Sequence, residues 1–197
     1  MSDSYLTIAA PSQGIYKEKG SKFMAYLFEI SSEEQAVAIV ADFKKQYHDA
    51  RHHCYAYQMG VDGEKYREND DGEPSGTAGK PIRGQIRSKG ITNVLAVVVR
   101  YFGGTKLGVP GLINAYKLAT LDAIENATII EKLVELQITF SFGYLVMNDV
   151  MRLIKDMDCR IISQDFENSS IFKISIRLSL ANKMLESLQK IDGLNIL

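Results

Sequence analysis

The sequence predicts an α+β protein of two units, and three observations predict it. From Glu135 onward the hydrophobic pattern runs strand, helix, strand, strand, helix, strand, the β-α-β-β-α-β order of a ferredoxin-like domain. Ahead of it, the unbroken apolar run Val94 to Val99 leads through a Gly-rich turn into a helical stripe, the mark of a buried strand feeding a helix. Between them, Ala127 to Val134 interrupts both patterns and reads as a boundary. The chain has 197 residues, 46% of them hydrophobic, enough for one large or two small cores. The expected division is residues 1–130 and 135–197.

Taken in order, Tyr16 to Lys19 and Lys22 to Ile30 read as strands around Gly20-Ser21. In the second strand Phe23, Ala25 and Leu27 alternate with Met24, Tyr26 and Phe28, so both faces are apolar enough to be buried. Ser31 with Glu34 is a capping-box signature for a helix to about Tyr47. His53 to Gly60 and Glu64 to Arg67 form a hairpin through Val61-Asp62-Gly63. Pro81 to Lys89 reads as a short basic helix stopped by Gly90, and Leu112 to Asn126 as a longer one. Past the boundary come strand 135–142, helix 144–157, strands 160–166 and 171–178, helix 180–191 and a short strand at 194–197.

The formal net charge of −1 conceals an asymmetry. Gly79 to Leu121 holds no Asp or Glu but carries Lys80, Arg83, Arg87, Lys89, Arg100, Lys106 and Lys117, while Asp62 to Glu73 holds six acids against Lys65 and Arg67. Local field decides whether a polyanion binds, so the near-neutral total does not exclude one. Two cysteines, Cys54 and Cys159, are too few and too far apart for a disulfide framework, which favours a reducing compartment. The start Met1-Ser2-Asp3-Ser4 lacks the basic and apolar stretches of a signal peptide, and no segment approaches the roughly 20 apolar residues of a membrane helix. A cytoplasmic protein is therefore expected.

Two loops carry the chemistry. Asn69 to Pro81 packs acids, hydroxyls, glycines and prolines into one stretch that neither helix nor strand accommodates. Its Asp70, Asp71 and Glu73 read as water-mediated Mg²⁺ ligands; alternatively, Asp70 and Asp71 cap turns and accept backbone N–H groups. Ser75 invites a nucleophile reading with His52 as base, although Gly72 to Gly76 is not a G-x-S-x-G elbow. The second loop, Gly103 to Gly111, joins strand to helix, where free N–H groups and the helix dipole favour an anion. It is not a Walker A loop, because Val109-Pro110 stands where Lys and Ser/Thr are required.

These loops and their flanks resemble the YigZ/IMPACT family. The resemblance rests on Asp70-Asp71-Gly72-Glu73-Pro74-Ser75-Gly76-Thr77-Ala78-Gly79-Lys80-Pro81, on Arg100-Tyr101-Phe102-Gly103-Gly104-Thr105-Lys106-Leu107-Gly108, on His52-His53-Cys54-Tyr55-Ala56-Tyr57 and on Gly20-Ser21-Lys22-Phe23. Pro110 and Asn114 depart from the family pattern, which has a second glycine and an arginine there; a cation one turn into the helix is absent. The resemblance implies an N-terminal α/β domain like a small-subunit ribosomal protein and RNase PH. It also implies a ferredoxin-like C-terminal domain like the terminal module of elongation factor G. Eukaryotic members carry an additional N-terminal domain that binds a regulator of a translation-initiation kinase. This chain begins with the shared domain, so the bacterial type is expected.

The leading functional reading is a translation-associated regulatory protein that binds RNA or the ribosome, with the C-terminal domain available to dock a protein. Lys80, Arg83, Arg87, Arg100 and Lys106 are the expected phosphate contacts, with backbone N–H groups of Gly76, Gly79, Gly103 and Gly104 beside them. The alternative is a Mg²⁺-assisted enzyme on a phosphorylated or nucleotide-like substrate, with His52, Asp70, Asp71, Glu73 and Ser75 as its candidate residues.

Overall fold

A computed structural model describes residues 3–166 and 170–197; Met1 and Ser2, on which part of the leader reading rests, lie outside the described residues. The chain forms two compact units, residues 5–132 and residues 133–197 together with 3–4.

The larger unit holds all but the first residue of Ser4–Ile8 (β1), then Ser12–Glu18 (β2), Ser21–Glu29 (β3), Glu33–Gln46 (α1), His52–Met59 (β4) and Lys65–Asn69 (β5). It continues with Gly79–Ser88 (α2), Val94–Tyr101 (β6), Gly108–Glu125 (α3) and Ile129–Leu133 (β7). Five strands form one sheet in the order β2-β3-β6-β4-β5, with every neighbouring pair antiparallel. β6 lies at the centre, and Val94 to Val99 are all fully buried, as an apolar run with no polar alternation requires. β3 is likewise covered on both faces. Phe23, Ala25 and Leu27 pack with Ile82 and Ile86 of α2 and with Tyr116 and Ala119 of α3. Met24, Tyr26 and Phe28 pack with the cluster of Val40 and Phe43 of α1.

Two expectations shift. The cap of α1 is Ser32, whose Oγ accepts the Gln35 N–H at 3.2 Å, while Gln35 Oε1 accepts from Ser31 N–H at 2.9 Å. The helix entry is therefore one residue later than the Ser31–Glu34 pairing predicts, with Gln35 rather than Glu34 reaching back. Residues 127–134, read as a bare boundary, contain β7, which forms a two-stranded sheet with β1.

The smaller unit contains Glu135–Phe142 (β8), a short 3₁₀ turn at Tyr144–Val146, Met147–Asp156 (α4), Arg160–Asp165 (β9), Ser170–Arg177 (β10), Leu178–Leu188 (α5) and Asn195–Ile196 (β11). Its sheet order is β11-β8-β10-β9, antiparallel throughout. Alternate residues Ile138, Phe140 and Phe142 of β8 and Phe172, Ile174 and Ile176 of β10 form one core with Val150, Ile154, Ala181, Met184 and Leu188 of the helices. This is the ferredoxin-like arrangement that the element order implies.

Candidate functional site

The first loop is built around the Asp70 carboxylate. Its Oδ2 accepts the Gly76 N–H at 2.8 Å, and its Oδ1 accepts those of Ala78 at 3.0 Å and Gly79 at 2.8 Å. Asp71 follows with a positive φ of 42°, which a short polar side chain tolerates better than most. Its Oδ2 accepts the His53 N–H at 2.7 Å and its Oδ1 meets Lys44 Nζ at 2.6 Å. Burial works against the Asp71 charge, but the Lys44 ammonium and the His53 N–H outweigh it and hold the carboxyl below its ordinary range. Both aspartates thus perform turn and anchoring work.

Glu73 is different. Its side chain is 4% exposed, and Oε1 accepts from Arg100 Nη1 at 2.5 Å and from the Tyr116 hydroxyl at 2.8 Å. His52 Nε2 lies 3.7 Å from the same oxygen. The Asp71 carbonyl, 2.8 Å from His52 Nδ1, can only accept, so Nδ1 carries a proton and Nε2 is the ring atom that faces Glu73. Cys54 is fully buried beneath, with Sγ 3.2 Å from the Tyr116 oxygen. Burial pushes the Cys54 thiol and the Tyr116 hydroxyl far above their ordinary ranges, so both stay protonated.

His52, Glu73 and Arg100 line a cleft of about 920 Å³ in the larger unit, bounded by residues 49–52, 73–74, 100–102, 106–109 and 112. Of the predicted residues it brings together His52, Glu73, Arg100 and Lys106. Asp70, Asp71, Ser75, Gly76, Gly79, Lys80, Arg83 and Arg87 are not in its lining.

Several expected anion contacts are occupied. The Gly76 and Gly79 N–H groups serve Asp70, and the Gly103 N–H donates to Ser21 Oγ at 3.1 Å. Arg83 pairs with Glu68 at 3.2 Å and stacks over the Tyr66 ring. Arg100 is 5% exposed and ion-paired. Lys80 and Arg87 are exposed on α2, and Gly104 is exposed in the second loop. Among the described residues no group of three His, Cys, Asp or Glu is disposed to hold a metal ion. Of the aromatic pair beside Arg100, Tyr101 is half-buried with its hydroxyl on Asp49, while Phe102 is 50% exposed. Sequence reasoning missed Arg51, which lines the cleft and precedes the His52-His53 motif, and it read Tyr116 only as part of an apolar stripe.

A five-stranded antiparallel sheet with a charged cleft, followed by a ferredoxin-like unit, defines a class of two-domain α/β proteins. Residues 19–124, which hold every candidate residue above, match the Impact N-terminal domain. The chain belongs to the IMPACT family. It is 34% identical over 176 residues to the IMPACT family member YigZ of Escherichia coli, covering 88% of this chain and 86% of that one. It is 36% identical over 132 residues to YvyE of Bacillus subtilis, covering 67% and 61%. A crystal structure of a hypothetical protein superimposes with a TM-score of 0.78 at 31% identity, over 100% of this chain and 98% of the other.

Proposed function

We propose that this protein is a translation-associated regulator of the cytoplasm that binds RNA, free or in the ribosome, through the cleft of its larger unit. The observation that carries the RNA contact is the cleft's rim. Arg51 and Lys106 are exposed there with no ion pair among the described residues, and the exposed Phe102 ring lies beside them. Cations that track phosphate and an aromatic face that stacks a base are the ingredients of single-strand binding. Lys80 and Arg87, exposed on α2, are further candidate phosphate contacts outside the cleft lining, and the smaller unit is available to dock a protein. Membership in the IMPACT family supports the translational setting. No described helix is long and apolar enough to cross a membrane.

Titration of a labelled single-stranded RNA at low and at physiological salt tests this. Binding is expected to weaken steeply with salt, and the Arg87→Gln/Lys106→Gln double variant is expected to flatten that dependence by about 0.7 in log–log slope per lost phosphate contact. Unchanged affinity and slope in the variant would falsify the reading.

A second reading is favoured by His52 and Glu73, a histidine whose Nε2 lies 3.7 Å from a buried carboxylate in a cleft. It is the enzyme acting on a phosphorylated or nucleotide-like small molecule, with Mg²⁺ as a component to be tested. Turnover in the presence of Mg²⁺ that disappears in His52→Gln supports it; turnover retained in that variant removes His52 from the chemistry.

A further inference from the structure

Three features of the cleft converge on one anionic group. Arg100 lies deep in it, ion-paired to Glu73 through Nη1 and 3.5 Å from Ser21 Oγ through Nη2. A guanidinium offers five N–H donors. The buried Nε of Arg100 has no partner among the described residues. Next, α3 begins at Gly108, its N-cap residue Leu107 gives no side-chain cap, and Leu107, Gly108 and Val109 line the same cleft. The N–H groups of Gly108 and Val109 (Pro110 has none) and the positive end of an 18-residue helix therefore lie at the cleft. Finally, Arg51 and Lys106 add two exposed cations. Against them stand Glu73, turned inward onto Arg100 and Tyr116, and Asp49, whose Oδ1 accepts from Tyr101 at 2.9 Å. The three cations outnumber the two lining carboxylates.

The burial of Arg100 decides which phosphate reaches it. Its side chain is 6% exposed, so the group must be inserted. An internal phosphodiester carries a nucleoside on each side and one charge. A terminal phosphate monoester enters end-on, with one nucleoside behind it and a charge of about −1.5 to −2 at neutral pH. Phe102 and Val109, each about half exposed, offer that nucleoside an apolar wall. The cleft volume of about 920 Å³ falls in the range of roughly 300–1,000 Å³ typical of small-ligand sites.

We propose that the cleft is a receptor for a nucleotide's terminal phosphate monoester, the 5′-phosphorylated end of a single-stranded RNA or a free nucleoside 5′-monophosphate. Arg100 and the α3 N-terminus take the phosphate, and Arg51 and Lys106 close over it. This rests on the reading of the cleft as a phosphate-binding surface.

The test uses the full chain and one short single-stranded RNA sequence, labelled at its 3′ end and prepared with either a 5′-phosphate or a 5′-hydroxyl. Fluorescence anisotropy is read at physiological salt. The phosphorylated RNA is expected to bind at least about tenfold more tightly. That preference is expected to vanish in Arg51→Gln/Lys106→Gln, whose exposed positions leave the fold intact by circular dichroism. Competition by a nucleoside 5′-monophosphate at comparable concentration would identify the free nucleotide as a sufficient ligand, whereas failure to compete would identify the RNA end; both support the receptor. Equal, salt-sensitive binding of the two RNAs overturns the end-specific site and leaves the RNA reading standing. No binding of either RNA or of the mononucleotide overturns both. A preference that survives intact in the double variant also overturns the proposed site.

Discussion

Asp70 and Asp71 stand side by side and do unlike work. Asp70 gathers the N–H groups of Gly76, Ala78 and Gly79, so the loop's shape depends on its oxygens. Asp71 fastens the loop to the start of β4 and to α1 through His53 and Lys44. The Asp71 carboxyl sits below its ordinary value of 3.8 in the folded chain. The unfolded chain therefore takes up the proton first as pH falls. The stabilisation is complete above that ordinary value and is lost as pH drops through the lower folded value. Asp71→Asn keeps an acceptor for the His53 N–H and tolerates the positive φ, but loses the charge. It is expected to cost about 1 kcal/mol at neutral pH, as an exposed-partner ion pair allows, and to flatten the acid limb of a denaturation series below about pH 4. An unchanged acid limb would remove Asp71 from the pH response. The turn-cap alternative for these acids was legible because glycines surround them. The isolation of Glu73 was not, since Arg100 and Tyr116 lie 27 and 43 residues away in the chain.

At the scale of elements, the long patterns were legible and the short ones were not. β6, α3 and the elements of the smaller unit follow from runs and stripes long enough to exclude alternatives. β1 and β7 are five residues each with mostly half-exposed or exposed side chains, and their pairing spans more than a hundred residues, so no local periodicity announces them. Gly14 also escaped notice. A Cβ there would lie 2.2 Å from the Ala123 backbone nitrogen, so β2 approaches α3 only because that atom is missing. Gly14→Ala is expected to destabilise by about 3 kcal/mol or more in urea denaturation, since backbone rather than a side chain must move. Gly84 is the control: it lies inside α2, and a Cβ added there would meet nothing within 4 Å. Gly84→Ala is expected to stabilise by about 0.5–1 kcal/mol through helix propensity and the unfolded chain's lost freedom. A neutral Gly14→Ala would contradict the close approach.

For the whole molecule, each unit owns its core. Phe140, fully buried, belongs to the cluster of the smaller unit, and the cleft belongs wholly to the larger. Phe140→Ala is expected to cost about 3–5 kcal/mol in the unfolding transition of the smaller unit. The transition of the larger unit, and RNA binding by its cleft, are expected to stay unchanged; movement of both transitions together would show that the units unfold as one. The order of units was legible because the second repeats a complete supersecondary pattern. The membership of residues 3–4 in that second unit was not, because it depends on Asp3 accepting from the Ser179 N–H and pairing with Arg177 at the far end of the chain.

That membership, and the pairing of β1 with β7, bear on how the protein is made. A ribosome extends the chain N-terminus first, so Ser4–Ile8 emerges long before Ile129–Leu133 exists. At typical elongation rates β1 waits roughly ten seconds without its partner strand. During that interval the five-stranded sheet can assemble and β1 can meet the Ile91–Thr92 segment through Leu6, while its β7-facing main-chain groups stay open to nascent-chain chaperones and to neighbouring polypeptides. Vectorial synthesis thus leaves a strand made early to complete its pairing late.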